Sequence, residues 1–168
     1  LLDKVGKEIP KTPDEVYDVL KAFKDELNIE VPLSGTMFWL QSIGLNHGLF
    51  TSPFGLVKAN FYQVDGEVHY GYYEKEYKDV LVWLNKLYNE ELLDPNFQTL
   101  DNATHNSNFM NGISGMTISS NGGISTFINT MKEENPEFNV AGVGPLVAKA
   151  GDTALSTHYD TAVTGVIL

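Results

Sequence analysis

Residues 74–95 constrain the fold most strongly, because they predict one long amphipathic helix with a defined end. Apolar side chains recur there at steps of three and four and would share one helical face: Tyr77, Val80, Leu81, Leu84, Leu87 and Tyr88. Trp83 is expected on the flank of that face. Asp94 stands before Pro95, and a residue before proline is disfavoured in the helical conformation. A helix of this length needs a large apolar partner surface, which the rest of the chain should supply.

A second helix is predicted by its start signal. Thr12 can cap the helix, Pro13 suits its first position, and Glu15 completes a capping box. This helix should end near Asn28. A third helix is expected over residues 124–134, which run up to an Asn-Pro pair that would stop it.

Strand patterns alternate with these helices. Short segments rich in apolar or β-branched side chains predict strands at four places: residues 29–33, 115–120, 138–143 and 153–168. Asp65 and Gly66 separate two alternating runs and predict a hairpin with a type I′ turn, because both central residues of that turn need positive φ. The alternation of helices with strands favours an α/β fold in which helices pack on a short mixed sheet.

The composition limits both the class of protein and its partners. A chain of 168 residues with 42% hydrophobic residues suits one globular domain, so residues 1–168 are expected to form a single domain. The net charge is −11, and 11 Lys and Arg stand against 22 Asp and Glu, which argues against a nucleic-acid partner. There is no cysteine, so disulfides, thiolate metal sites and a cysteine nucleophile are excluded. The apolar run at residues 162–168 and the start without methionine lead us to expect a piece of a longer polypeptide.

Metal and cofactor sites are not expected. The four histidines lie far apart and in no ligand spacing, so hydrogen-bonded histidines of loops and of the hairpin are favoured: His47, His69, His105 and His158. Residues 101–106 offer oxygen ligands at alternate positions, but an EF-hand loop needs glycine at its sixth position and glutamate at its twelfth. Asn106 and Gly112 occupy those positions. A helix-capping turn is therefore favoured over a calcium site.

Three residues are candidates for ligand binding. Ser120 and Asn121 join a predicted strand to a predicted helix, and such a junction can present backbone N–H groups to a polar ligand. A purely structural turn is the equal alternative. Trp39 has amide and hydroxyl side chains nearby in sequence, which together would suit a sugar; the alternative is a tryptophan of the core. No Gly-x-Ser-x-Gly motif is present, so a serine hydrolase is not indicated, and no catalytic residue is assigned.

Four segments resemble those of a known family. They are LLDKVGKEIPKTPDEVYDVLKAFKDE, VDGEVHYG, YKDVLVWLNKLYNEELLDPNF and FMNGISGMTIS. In order and spacing they resemble the extracellular solute-binding proteins of bacterial ABC importers, in the carbohydrate-type lipoprotein group. Glu91 departs from the family pattern, which commonly has glycine there. The helix is therefore expected to end without a left-handed cap.

The resemblance implies a fold and a function. The fold would be one lobe of a periplasmic-binding-protein-like (type II) two-lobe architecture. The parent protein would capture an extracellular solute, a sugar or oligosaccharide, by hinge closure, and would deliver it to an ABC permease. It would lie at the extracellular face of the bacterial membrane, held by a lipid anchor that this chain lacks. It would not be an enzyme.

Two alternatives stay open on sequence alone. One is an interaction module without a small ligand, which would use the loop at residues 46–60. The other is a fragment of a glycoside-acting enzyme, since 22 acidic residues leave room for a catalytic pair although no feature singles one out.

Overall fold

The computed structural model describes residues 1–155, and within this range five α-helices alternate with four β-strands. The helices are α1 (Pro13–Leu27), α2 (Met37–Trp39), α3 (Glu76–Asn89), α4 (Asn102–Met110) and α5 (Asn121–Glu134). The strands are β1 (Val31–Ser34), β2 (Phe61–Val64), β3 (Glu67–Tyr70) and β4 (Ser114–Thr117). This alternation confirms the α/β prediction. None of the helices in residues 1–155 has both the length and the apolar character of a membrane span.

Helix α1 begins at the predicted capping box. The Thr12 hydroxyl accepts a hydrogen bond from the backbone N–H of Glu15 at 3.2 Å, and the Glu15 carboxylate accepts one from the N–H of Thr12 at 3.3 Å. A cap of this kind stabilises a helix by about 1 kcal/mol. The helix ends where Asn28 adopts the left-handed conformation, with φ of 54°. Both predicted ends are confirmed.

Helix α3 buries a face that is rotated from the predicted one. The residues it buries are Val80, Trp83, Leu84 and Leu87. Leu81 and Tyr88 were expected to be buried, but they are 47% and 42% exposed. The reason is Trp83, whose ring packs 5.3 Å from that of Phe50 and 6.2 Å from that of Phe54. A large ring on the flank turns the helix because it removes more apolar surface from water than a leucine does.

The end of α3 contradicts the expectation that it lacks a left-handed cap. Glu91 has φ of 56°, its N–H donates to the carbonyl of Tyr88, and the N–H of Leu92 donates to the carbonyl of Leu87. This is a Schellman motif, in which the backbone bonds demand a left-handed residue whatever its side chain. Lys24 of α1 supports it, because its ammonium lies 2.9 Å from the Glu91 carboxylate. The same ammonium lies 2.8 Å from the last free carbonyl of the helix, that of residue 90.

Three chain segments run parallel in the centre of the fold. β1 pairs with β4, with Leu33 opposite Met116, and Leu33 also forms a parallel bridge to Leu93. Leu93, β1 and β4 therefore lie side by side in that order and point the same way. The core packs on them and includes Val16, Leu20, Leu33, Val80, Leu84, Leu87, Leu92 and Ile118.

The hairpin of β2 and β3 is a separate two-stranded antiparallel sheet. Asp65 and Gly66 connect the strands with φ of 52° and 88°. Positive φ at both positions is what a type I′ turn requires, so the predicted turn is confirmed. The parallel and antiparallel parts thus form two short sheets.

The chain after α5 contains no strand up to residue 155. The predicted strand at residues 138–143 is wrong, because this segment pairs with none of the four strands described. Leu146 and Val147 are nevertheless buried, and their N–H groups donate to the carbonyls of Leu49 and Lys11. Most of the strand predicted at 153–168 lies outside the described residues.

Candidate functional site

The carboxyl ends of the parallel segments meet at one edge of the sheet, here called the carboxyl edge. The connections after β1 and β4 pass close to each other there, since a β-carbon added to Gly35 would lie 3.1 Å from the Cδ1 of Ile118. The connection after Leu93 joins them, because the N–H of Met37 donates to the carbonyl of Phe97 at 2.7 Å. Ligands of open α/β sheets bind at this kind of edge.

The connection after β4 leads directly into α5. The Ser120 hydroxyl accepts a hydrogen bond from the N–H of Gly123 at 3.2 Å and so caps the helix. Asn121 is therefore the first helical residue, and α5 begins three residues before the predicted position. A β-carbon on Gly123 would collide with the Ser119 hydroxyl, so the turn is tight. The N–H groups of Asn121 and Gly122 have no partner within the helix, which leaves them available to a polar ligand.

An open cleft of about 1600 Å³ runs along β4. Ser119, Ser120 and Asn121 contribute part of its polar lining, to which Lys7 and Glu8 add charged side chains. Phe109 and Phe127 contribute part of its apolar lining. A binding site that combines apolar and polar lining can hold the apolar and the hydroxyl-bearing parts of a small molecule. The structure thus places two of the three predicted residues in one cleft.

Trp39 lies on the neighbouring connection, after β1. The backbone N–H of Trp39 donates to the Thr36 hydroxyl at 3.3 Å. Its ring packs edge to face against the ring of Phe38, with the ring centres 5.0 Å apart. It is half-buried and packs against the core, as its structural alternative expected. Trp39 therefore lies at the carboxyl edge, as Ser120 and Asn121 do, but it does not line the cleft along β4. Its contact with a ligand stays a prediction.

A buried polar layer that the sequence did not reveal lies beneath the carboxyl edge. His105 of α4 is fully buried, and its Nε2 lies 2.7 Å from the Thr117 hydroxyl at the end of β4. The Ser34 hydroxyl at the end of β1 donates to the buried Asp94 carboxylate at 3.4 Å. Burial is the main cause that lowers the pKa of His105. The only signal in the sequence was Phe109 four residues later, which would share a helical face with His105.

The other polar predictions have mixed outcomes. Asp101 caps α4, because its carboxylate accepts from the N–H of Thr104 at 2.9 Å, and this bond lowers its pKa. The capping turn is confirmed. His69 is a hydrogen-bonded hairpin residue, 3.0 Å from the Glu74 carboxylate, as expected. His158 lies outside the described residues. No group of three or more acidic or histidine side chains that could hold a metal occurs in residues 1–155.

The chain is similar in sequence to a curated protein and in fold to many solved structures. It is 29% identical over 182 residues to lipoprotein LipO of Bacillus subtilis, a match that covers 99% of this chain. The chain spans 34% of that relative, about a third of its length. No protein-family model matches the chain.

Two solved structures illustrate the likeness in fold. One is a sugar transporter protein of Bacillus licheniformis in complex with stachyose, with a TM-score of 0.67 and 16% identity over 91% of this chain and 39% of that one. The other is an HMO-binding, ABC-transporter-associated solute-binding protein of Bifidobacterium longum infantis. Its TM-score is 0.51 and its identity 29%, over 69% of this chain and 26% of that one.

These neighbours are binding proteins with a two-lobe, periplasmic-binding-protein-like fold, and this chain has the fold of part of it. The sequence match to a lipoprotein and the solute-binding structures agree with each other. The chain is therefore similar, in sequence and in fold, to part of the extracellular solute-binding proteins that are associated with bacterial ABC transporters.

Proposed function

We propose that the chain is one lobe of a protein that captures a neutral sugar or oligosaccharide outside the cell. The observation that carries the proposal is the carboxyl edge, where the connections after β1 and β4 lie together and present polar groups to the cleft along β4. The neighbours with printed ligands support a carbohydrate: one was solved with stachyose, and another with fructo-nystose.

Each candidate residue has a role that its chemistry supports. The side-chain amide of Asn121 is exposed and can exchange hydrogen bonds with sugar hydroxyls. Ser120 holds the first turn of α5 so that its free N–H groups face the ligand. Trp39 offers a half-buried ring from the neighbouring connection, against which the apolar face of a sugar can stack.

The wider role follows from the family. A second lobe would close over the ligand by a hinge, and closure raises affinity because the ligand then contacts both lobes. The closed protein would deliver its ligand to an ABC permease at the outer face of the membrane, where a lipid anchor would hold it. We assign it no catalysis.

Calorimetric titration of the longer protein that contains this chain tests the proposal. We expect binding of at least one oligosaccharide from a panel that includes stachyose, nystose and maltotetraose, without consumption of the sugar. Asn121→Ala should weaken that binding about tenfold, the loss of one or two hydrogen bonds. Asn89→Ala is the matched control, because Asn89 is exposed in the last turn of α3.

Two results would contradict the proposal. Equal affinities for Asn121→Ala and Asn89→Ala would remove the carboxyl edge as the binding site. Hydrolysis of a glycoside during the titration would favour the enzyme alternative.

A further inference from the structure

The hairpin carries an exposed aromatic surface that the proposed function does not use. Its members are Phe61, Gln63, Val68, Tyr70 and Tyr73, here called the hairpin platform. Phe61, Val68 and Tyr73 are 61%, 75% and 89% exposed. Single exposed apolar residues are ordinary, but a contiguous patch of them marks an interaction surface.

The hairpin platform is contiguous because of the strand register. Phe61 stands opposite Tyr70 in the ladder, and their rings lie 4.4 Å apart. Tyr73 extends the row, with its ring 5.3 Å from that of Tyr70. Gln63 stands opposite Val68, two residues further along the ladder. Since side chains alternate along a strand, this pair lies on the same face as Phe61 and Tyr70.

The hairpin platform carries no charge. This contrasts with the net charge of −11 of the whole chain. Its polar groups are two phenol hydroxyls and one amide, which donate and accept hydrogen bonds without charge. A neutral occupant with hydroxyl groups is the one that this chemistry complements.

The opposite face of the hairpin holds the platform in a fixed orientation. One oxygen of the Glu74 carboxylate lies 3.0 Å from the Tyr62 hydroxyl and 3.0 Å from the His69 Nδ1. The rings of Tyr62 and His69 stack at 5.0 Å. Burial, followed by the bond to Glu74, raises the pKa of Tyr62 to about 12, so its hydroxyl stays a donor. Contacts of this kind restrain the hairpin, and a restrained surface loses less entropy on binding.

The topology places the hairpin on the side of the carboxyl edge. α3 leads into Leu93, which runs parallel to β1. A helix that precedes a parallel strand runs back against the sheet, so the first turn of α3 lies at the carboxyl edge. The hairpin and the turn Gly71–Tyr73 come directly before that first turn.

We propose that the hairpin platform is an outer subsite for a neutral oligosaccharide, whose inner sugar unit is held at the carboxyl edge. The inference rests on the proposed function and adds the length of the ligand to it. The rings of Phe61 and Tyr73 stack on the apolar faces of an outer sugar unit, and Gln63 and Tyr70 hydrogen-bond its hydroxyls. The platform thus selects chains of several sugar units over single sugars.

The test uses nuclear magnetic resonance of the longer protein that contains this chain, titrated with stachyose and, separately, with galactose. We expect stachyose to shift the backbone amide signals of Gln63, Val68 and Tyr73 as well as those of residues 119–121. Galactose should shift the second group alone. Tyr73→Ala should weaken stachyose binding about fivefold and leave galactose binding unchanged.

The control is Tyr88→Ala, a partly exposed tyrosine in the last turn of α3, which should bind both sugars as the parent chain does. Tyr73 is too exposed for its replacement to unfold the chain.

If stachyose shifts residues 119–121 alone, the proposed function stands and the outer subsite is wrong. An equal loss for both sugars in Tyr73→Ala also overturns the subsite. If neither these sugars nor nystose and maltotetraose shift any signal, both proposals fail for carbohydrates. Shifts confined to the hairpin would leave the subsite without an inner site and would contradict it.

Discussion

His105 is a neutral base that the fold keeps from water, and this has a consequence for stability at the residue scale. Its pKa is lowered in the folded chain, whereas in the unfolded chain it returns to about 6.5. Below that pH, His105 is protonated more readily in the unfolded chain than in the folded chain. Folding stability contributed by this residue is therefore complete above pH 6.5 and is lost as the pH falls below it.

We expect the urea midpoint of the chain to fall between pH 7.5 and pH 5.5, and His105→Gln to flatten that part of the curve. Chemical unfolding followed by circular dichroism measures both. Thr117→Val is the control, because it removes the hydroxyl 2.7 Å from Nε2 but keeps the titrating ring. It should lower the midpoint at every pH and retain the slope. Parallel curves for the parent chain and His105→Gln would contradict this role.

Glu91 gives a second prediction at the residue scale. In the left-handed region, a residue with a β-carbon destabilises the folded chain by about 1 kcal/mol, whereas glycine adopts this conformation with little cost. Glu91→Gly should therefore raise the urea midpoint, although it removes the pair with Lys24. Glu91→Ala removes the same pair and keeps the backbone cost, so it is the matched control. A midpoint for Glu91→Gly no higher than that for Glu91→Ala would show that φ is not strained there.

At the scale of elements, the sequence predicted helices and turns whose signals are local. Thr12 and Glu15 are three residues apart, and Asp65 and Gly66 are adjacent, so each motif contains its own partners. The buried face of α3 could not be predicted to the residue, because Trp83 is turned inward by rings from a distant loop. The predicted strand at 138–143 was wrong for the same reason, since a strand needs a partner that its own residues do not specify.

The rotation of α3 can be measured by two alanine substitutions. Trp83→Ala should lower the free energy of unfolding by about 3–5 kcal/mol, as for a large aromatic residue in a core. Leu81→Ala should change it by less than about 1 kcal/mol, because that side chain is about half-exposed and lies outside the buried face. Urea unfolding of both variants compares them directly. Comparable decreases in the free energy of unfolding at the two positions would favour the buried face of α3 that the sequence predicted, which includes Leu81.

At the scale of the whole molecule, the order of elements indicated an α/β fold, but the site depended on contacts between remote segments. Ser120 and Asn121 were predicted from a strand-to-helix junction, and they line the cleft. His105 was missed, because its partner Thr117 comes from another element and histidine has no characteristic spacing there. The order of elements could not predict that the hairpin forms a sheet of its own.

The net charge gives a prediction for the whole molecule. With 22 acidic against 11 basic residues, repulsion between like charges destabilises the compact state. Added salt shortens the Debye length from about 30 Å at 0.01 M to about 10 Å at 0.1 M. The urea midpoint at pH 7.5 should therefore rise between these sodium chloride concentrations. A fall would mean that attractive pairs, such as Lys21 with Asp25, outweigh the repulsion.

The contact of Lys24 with the end of α3 has an evolutionary consequence. The ammonium donates hydrogen bonds both to the Glu91 carboxylate and to the carbonyl of residue 90, so it joins two helices through a position that glycine could occupy. In a homologue with glycine at that position, the lysine keeps only its backbone partner. Positions 24 and 91 should therefore vary together among related chains, with lysine or arginine at 24 accompanying an acidic residue at 91.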